Sequence, residues 1–201
     1  MTRIAFIRHG ETDWNISGKV QGHTDVPLGA TGIADVKTWV IPDEFAHYAW
    51  IASPLSRALE TARLLNGDTA TDPRLKEMDW GEWEGRTIPD LRDELGPLMA
   101  AWEAKGLDFK APTGESPRDV QIRMAPLLAE IAAAGRDTIA VTHRGVIRAT
   151  YAAAVGWDMS NKPKDKILDG CMHLFSLADN GTPSIERLNI PLKTPVALGP
   201  A

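Results

Sequence analysis

Four side chains that suit phosphate chemistry come at or shortly after the ends of short apolar runs: Arg8, His9, Arg57 and His143. The apolar runs cover residues 3–7, 48–52 and 137–142. Runs of this kind predict buried parallel strands, and ligands bind at the carboxyl ends of such strands. Guanidinium groups pair with two phosphate oxygens at once, and an imidazole nitrogen can attack phosphorus. The pattern therefore predicts a phosphoryl-transfer site at one rim of a sheet.

The elements that position these side chains follow from the spacing of apolar residues. Helical spacing predicts helices over residues 33–40, 56–65, 88–94, 98–104, 117–134 and 146–155. Residues 172–177 and 184–190 predict a hairpin of two edge strands around Asn180 and Gly181. The predicted fold is a three-layer α/β/α sandwich with a mostly parallel sheet. We expect one domain over residues 1–201, with a small helical cap insertion at about 87–113 and a frayed tail at 194–201.

Arg57 falls in the first turn of its predicted helix, where the helix dipole disfavours a cation. An anion bound at that helix N-terminus would account for the arginine. Taken alone, the Arg8-His9-Gly10 tripeptide is also typical of a solvated turn. The longer motifs that contain this tripeptide therefore decide between a solvated turn and a phosphate site.

Four longer motifs surround these residues. They are Arg8-His9-Gly10-Glu11-Thr12-x-x-Asn15 with Gln21-Gly22, Ser53-Pro54-Leu55-x-Arg57-Ala58-x-x-Thr61-Ala62, Leu75-x-Glu77 with Gly81 and Trp83-Glu84-Gly85, and the turn at His143. Together they resemble the histidine phosphatase superfamily, which includes cofactor-dependent phosphoglycerate mutases and small phosphatases. Among these, the chain resembles the broad-specificity and α-ribazole phosphatases. One position departs from the pattern, because Arg144 stands where the family commonly has glycine.

The resemblance implies metal-independent hydrolysis of phosphomonoesters through a phosphohistidine. The expected catalytic residues are His9, Glu77, His143, Arg8 and Arg57, and the expected phosphate-binding residues are Arg8, Asn15, Gln21, Gly22, Arg57 and His143. His9 is the expected nucleophile, because the reference pKa of imidazole is about 6.5 and neighbouring arginines favour its neutral form. Glu77 aligns with the family's proposed proton donor, which serves the leaving oxygen and then the attacking water.

Other functions fit parts of the pattern. Two histidines and a carboxylate can hold iron, but the arginines would repel a divalent cation, so no metal is expected. The mutases of the family have a longer, more basic insertion with paired arginines, whereas residues 87–113 are short and mixed in charge. We therefore expect a phosphatase, with a mutase as the alternative. A weak phosphate-binding or protein-interaction module is the second alternative, against which the complete set of motifs argues.

Composition sets limits on partners and location. The chain has 22 basic and 27 acidic residues, which does not suit general nucleic-acid binding. Its single cysteine favours a reducing cytoplasm, and no membrane contact or cofactor is expected. Trp80, Trp83 and Trp102 are candidates to line an apolar part of the substrate site. The expected ligand is a small-molecule phosphomonoester, while its identity, the oligomeric state and the role of Arg144 stay open.

Overall fold

The structure is a computed structural model that describes residues 1–193. Its strands are β1 (Thr2–Arg8), β2 (Ala49–Ala52), β3 (Ala70–Thr71), β4 (Thr138–Thr142), β5 (Cys171–Leu177) and β6 (Pro183–Pro191). Its helices are α1 (Asp13–Ile16), α2 (Ala30–Val36), α3 (Ser56–Asn66), α4 (Ile88–Leu95), α5 (Pro97–Glu103), α6 (Pro117–Ala134) and α7 (Arg144–Val155). The predicted frayed tail at 194–201 lies outside the described residues.

The strands form one mostly parallel sheet in the order β3-β2-β4-β1-β5-β6. Strands β3, β2, β4 and β1 run parallel to one another, and β5 is antiparallel to both β1 and β6. The predicted hairpin is correct, but the prediction that both of its strands lie at an edge is wrong. Strand β5 pairs with β1 on its other side, so only β6 is an edge.

Alternate side chains of β1 pack in two separate hydrophobic cores, one on each face of the sheet, which explains why the strand is a continuous apolar run. Ile4 and Phe6 pack with helices α6 and α7, whereas Ala5 and Ile7 pack with helices α2 and α3. All four side chains are fully buried. The sheet is therefore the middle layer of the predicted α/β/α sandwich. The carboxyl end of β1 lies at the rim of this sheet.

Helix α2 begins and ends earlier than its apolar spacing predicts. It ends at Val36, and Val40, the last residue of the predicted helix, is 56% exposed. The chain turns away from the helix because the Val40 N–H donates to the Leu192 carbonyl at 2.7 Å. A long-range pairing with the chain after β6 therefore outweighs the local helical pattern.

Helices α4 and α5 lie in the segment predicted as an insertion and have an apolar cluster of their own. The cluster consists of Trp83, Leu91, Met99 and Ala111, with Trp80, Ile88, Leu95, Trp102 and Phe109 packed against it. Thr87 caps α4 by accepting a hydrogen bond from the Asp90 N–H, so this helix begins at Ile88 as predicted. Across residues 1–193, no helix combines the length and the apolar character needed to cross a membrane.

Candidate active site

A cavity of about 640 Å³ lies beside the carboxyl end of β1. Seven of the predicted site residues line it: Arg8, His9, Asn15, Gln21, Gly22, Arg57 and Glu77. They come from β1, α1, α3 and three connecting segments, so the parallel sheet brings them together as expected. The eighth, His143, is fully buried and lies against the His9 ring, with 5.1 Å between the ring centroids.

The ring of His9 is held by the turn that follows β1. Its Nδ1 lies 2.6 Å from the Gly10 carbonyl oxygen. A carbonyl only accepts, so Nδ1 carries the proton and Nε2 has a free lone pair. Burial, followed by the charges of Arg8 and Arg57, holds the pKa of His9 well below 6.5. The predicted neutral imidazole is thus confirmed, with burial as its largest cause.

Arg57 is the largest fully buried side chain among the described residues. Its guanidinium turns back from α3 and donates to the carbonyls of Gly22 at 2.8 Å and Thr24 at 3.0 Å. The expectation that an added anion balances the α3 N-terminus needs correction. The Asp25 carboxylate already occupies that position, where it accepts hydrogen bonds at 2.7 Å from the Ser56 N–H and hydroxyl.

Gly22 and Glu84 determine the conformation of the loop whose carbonyls accept the hydrogen bonds of Arg57. Gly22 has φ +54°, and a Cβ there would lie 1.9 Å from a Glu84 carboxylate oxygen. Glu84 accepts hydrogen bonds from the backbone N–H groups of His23 and Thr24. Burial alone would raise the pKa of Glu84, but the hydrogen bond from the Thr24 hydroxyl, followed by those from the backbone N–H groups, outweighs burial and lowers the pKa. Glu84 therefore orders the loop as an ionised carboxylate.

His143 caps helix α7 and contacts Ser53 at the end of β2. Its Nε2 lies 2.8 Å from the Ser53 hydroxyl oxygen, which also accepts from the Leu55 N–H. If Nε2 carried the proton, the buried Ser53 hydroxyl would have no acceptor among residues 1–193. The Ser53 hydroxyl therefore donates to Nε2, and Nδ1 of His143 carries the ring proton. Burial, then His9 and the arginines, hold the pKa of His143 well below 6.5.

Four buried side-chain polar atoms in the described chain have no hydrogen-bond partner. They are Nε of Arg8, Oε1 of Gln21, Nε of Arg57 and Nδ1 of His143. Each unpaired buried polar group costs about 1–3 kcal/mol, so native proteins keep very few of them. All four belong to residues predicted to bind phosphate.

Glu77 reaches the cavity from the connection that follows β3. One carboxylate oxygen accepts from the Met78 N–H at 2.7 Å, and the other accepts from the Gly145 N–H at 3.1 Å. The Glu77 carbonyl in turn accepts from His23 at 2.9 Å and Arg123 at 3.0 Å. Backbone and carboxylate are thus both fixed, while each carboxylate oxygen keeps a second lone pair for a ligand.

Asn15 and Gln21 complete the rim of the pocket. The Asn15 side-chain oxygen accepts from the Thr12 N–H and hydroxyl in a capping box around α1. This arrangement leaves the Asn15 amide N–H₂ as a donor toward the cavity. Arg8 also borders the pocket. Its Nη1 forms an ion pair with the carboxylate of Asp169, 2.6 Å away, in the segment before β5.

Sequence reasoning placed two tryptophans wrongly and missed one arginine. Trp80 lines the cavity, but Trp83 and Trp102 pack inside the cap cluster with ring centroids 5.3 Å apart. Arg148 lines the cavity together with Arg144, one turn earlier on α7. The signal was available, because residues four apart in a helix share one face.

Metal coordination was the rival interpretation of the histidines. Among residues 1–193, no three His, Cys, Asp or Glu side chains are grouped as a metal ion requires. Arg8 and Arg57 line the same cavity as His9 and Glu77, and their positive charges would repel a divalent cation there.

Comparisons with known proteins identify similar chains. The model of the histidine phosphatase superfamily (branch 1) matches residues 4–191. Glucosyl-3-phosphoglycerate phosphatase of Mycobacterium tuberculosis is 30% identical over 176 residues, which are 80% of this chain and 78% of that protein. Adenosylcobalamin/alpha-ribazole phosphatase of Salmonella typhimurium is 28% identical over 194 residues, covering 93% of this chain and 96% of its own.

A solved structure shows the same architecture. Phosphoserine phosphatase from Entamoeba histolytica, in complex with 3-phosphoglyceric acid, superposes with a TM-score of 0.78 at 27% identity. The match covers 94% of this chain and 97% of the other. Sequence and structural similarity thus agree over nearly the whole described chain.

Proposed function

This chain belongs to the histidine phosphatase superfamily, and we propose that it hydrolyses small-molecule phosphomonoesters through a phosphohistidine on His9. Nε2 of His9 attacks phosphorus in line as the bond from phosphorus to the leaving oxygen breaks. Glu77 gives its proton to that oxygen. The neutral alcohol then leaves, Glu77 becomes a carboxylate, and the phosphoryl group stays on His9.

In the second step, water attacks the phosphoryl group and the phosphorus–nitrogen bond breaks. Glu77 takes the proton of the attacking water, which restores the carboxyl group and releases inorganic phosphate. Arg8 and Arg57 stabilise the charge on the phosphoryl oxygens in both steps, the task that a metal ion has in other phosphatases. No cofactor is needed for this cycle.

One observation carries the proposal: Arg8, Gln21 and Arg57, which line the cavity with His9, and His143, which lies against His9, each have an unpaired buried polar atom. Two guanidinium Nε–H groups and the protonated Nδ1 of His143 are donors that suit phosphoryl oxygens. The Gln21 amide supplies a further donor if its oxygen and nitrogen are exchanged, since the two look alike in a structure. A phosphoryl group would satisfy all of them at once.

The segment 87–113 is proposed to act as a cap on the single domain. Ile88, Arg92, Met99 and Glu103 from this segment line the cavity. The guanidinium of Arg92 pairs with Glu103 at 2.7 Å, so its charge is already balanced within the cap. The cap thus lacks the free arginine pair expected for a mutase, which favours transfer to water. The relatives named above are phosphatases that act on small phosphorylated compounds, which also supports hydrolysis.

The test is a comparison of hydrolysis with interconversion in the presence of a chelator. The protein is incubated with 4-nitrophenyl phosphate or 3-phosphoglycerate, each with and without 2,3-bisphosphoglycerate, the cofactor on which the alternative mutase would depend. We expect free phosphate from both substrates, no loss of rate in chelator, and no release by His9→Ala. Rapid interconversion of 3- and 2-phosphoglycerate with little free phosphate would instead identify a mutase, and recovery by one added metal would revive the metal site.

A further inference from the structure

Helix α7 places two arginines on the cavity, beyond the phosphoryl-binding residues. Arg144 and Arg148 both line the space that His9 lines, and they are four residues apart on the helix. This spacing puts them on one face, about 6 Å apart along the helix axis. Two like charges at this spacing repel each other unless an anion lies between them.

Arg148 has no acidic partner within residues 1–193. Its side chain is partly buried, no ion pair or hydrogen bond engages its guanidinium, and its charge lies 5.5 Å from the Trp157 ring centroid. Burial, together with the charge of Arg144, lowers the pKa of Arg148. A half-buried cation that faces a cavity in this way is costly until an anion reaches it.

Arg144 is held almost as weakly. Its nearest acidic group is Asp169 at 4.0 Å, and that carboxylate already contacts Arg8 at 2.6 Å. Two cations of the cap are already paired, Arg92 with Glu103 and Lys110 with Asp119, and the third, Lys105, does not line the cavity. The positive charge still available to a ligand in the outer cavity therefore comes mainly from α7.

We infer that Arg144 and Arg148 form a second anion subsite, which binds a carboxylate or second phosphate on the leaving group of the substrate. This inference rests on the proposed function and narrows its substrate class to phosphomonoesters with a second anionic group. The reacting phosphoryl group binds at His9, while the second group reaches the face of α7. Lys19 also lines the cavity, but its side chain is exposed and lies over Trp14.

The test uses substrates that differ only in the second group. 3-Phosphoglycerate carries a carboxylate where glycerol 3-phosphate has a neutral hydroxymethyl group. We expect the wild-type protein to prefer 3-phosphoglycerate in kcat/KM by about tenfold, the usual effect of one charge-assisted contact. The pair of 1,3-propanediol bisphosphate and its monophosphate distinguishes a second phosphate from a carboxylate.

Arg148→Gln and Arg144→Gln should each reduce this preference, mainly through KM for the charged substrate. Arg187→Gln is the matched control, because Arg187 also lies over an aromatic ring, Phe45, at 5.6 Å but on β6 away from the cavity. An unchanged preference in both α7 variants, or its loss only in Lys19→Gln, would overturn the subsite.

Failure of the proposed function has a separate signature. If the wild-type protein hydrolyses none of these esters, calorimetric binding of 3-phosphoglycerate and glycerol 3-phosphate to His9→Ala still tests the subsite. Tighter binding of the carboxylate, weakened by Arg148→Gln and not by Arg187→Gln, supports it. Equal affinity for the two compounds contradicts it.

Discussion

At the scale of single residues, the two histidines present complementary ring nitrogens. His9 is protonated on Nδ1 by its contact with the Gly10 carbonyl, which leaves Nε2 to attack. His143 has its proton on Nδ1 because the Ser53 hydroxyl occupies Nε2. One ring is thus arranged to accept a phosphoryl group and the other to donate a hydrogen bond. Ser53 acts on the reaction only through His143 and is a positioning residue.

Ser53→Ala should therefore disturb the tautomer of His143. The variant removes the donor to Nε2, so the ring proton can move to that nitrogen and Nδ1 loses its donor role. We expect kcat to fall about tenfold or more, the scale of a lost transition-state donor. Nitrogen NMR of ¹⁵N-labelled histidine should show protonated Nδ1 at His143 in the wild-type protein and a mixed tautomer in the variant.

Ser184→Ala, an exposed serine on β6, is the control for that measurement. It should change neither kcat nor the His143 signal. If Ser53→Ala lowers kcat while His143 keeps its wild-type tautomer, the serine has only a structural role.

At the scale of elements, helix α7 brings three functions into one turn. Its cap is His143, its first residue is Arg144, and its second is Gly145, whose N–H holds Glu77. A Cβ on Gly145 would lie 2.2 Å from a Glu77 carboxylate oxygen. The helix therefore needs a glycine there to leave room for the proposed acid.

Gly145→Ala should displace Glu77 without unfolding the helix. Alanine favours helix over glycine by up to about 1 kcal/mol, so the melting temperature should change little. Turnover of glycerol 3-phosphate should fall at least about tenfold, because its alkoxide needs a proton to leave. Turnover of 4-nitrophenyl phosphate should fall less, and equal losses on the two substrates would remove Glu77 from the acid role.

The sequence predicted these elements well wherever a local pattern decides the outcome. The end of β1 at Arg8 and the starts of α3 at Ser56 and of α6 at Pro117 all depend on neighbouring residues. The end of α2 and the interior place of β5 depend on pairing partners more than 130 residues away, which no local pattern specifies.

The site was predictable to the extent that motifs name its residues. Motifs supplied the arginines, histidines and Glu77, but not the contacts that hold them. Examples are the hydrogen bond between Ser53 and His143 and the one from Arg123 to the Glu77 carbonyl. Each joins segments that are far apart in the chain. Arg148 lies outside any motif: helical spacing places it on the same face as Arg144, and the structure adds that this face borders the cavity.

At the scale of the whole molecule, buried neutral histidines make the stability depend on pH. His9, His143 and His173 are all nearly or fully buried, and burial lowers the pKa of each. For His173, on β5, the pKa falls to about 4. In the unfolded chain these rings bind protons near pH 6.5, whereas in the folded chain they resist protonation to lower pH. The unfolded state therefore gains more protons as the solution is acidified.

The free energy of unfolding should accordingly decrease as the pH falls from 6.5 toward 4. His173 alone should contribute about 2 kcal/mol of this loss between pH 7.5 and pH 5. Urea unfolding at a series of pH values measures the slope, and His173→Gln should make it shallower by that amount. A slope that is the same in both proteins would mean that His173 is already protonated in the folded state.

The central claim, a phosphoryl group on His9, is tested most directly by trapping the intermediate. The protein is mixed with a ³²P-labelled monoester, quenched in alkali to preserve phosphohistidine, and digested for mass spectrometry. We expect the label on His9, within the peptide that contains Arg8 and Gly10, and no label in His9→Ala. Label on serine, on His143 alone, or on no residue of a protein that turns over at full rate would contradict the account.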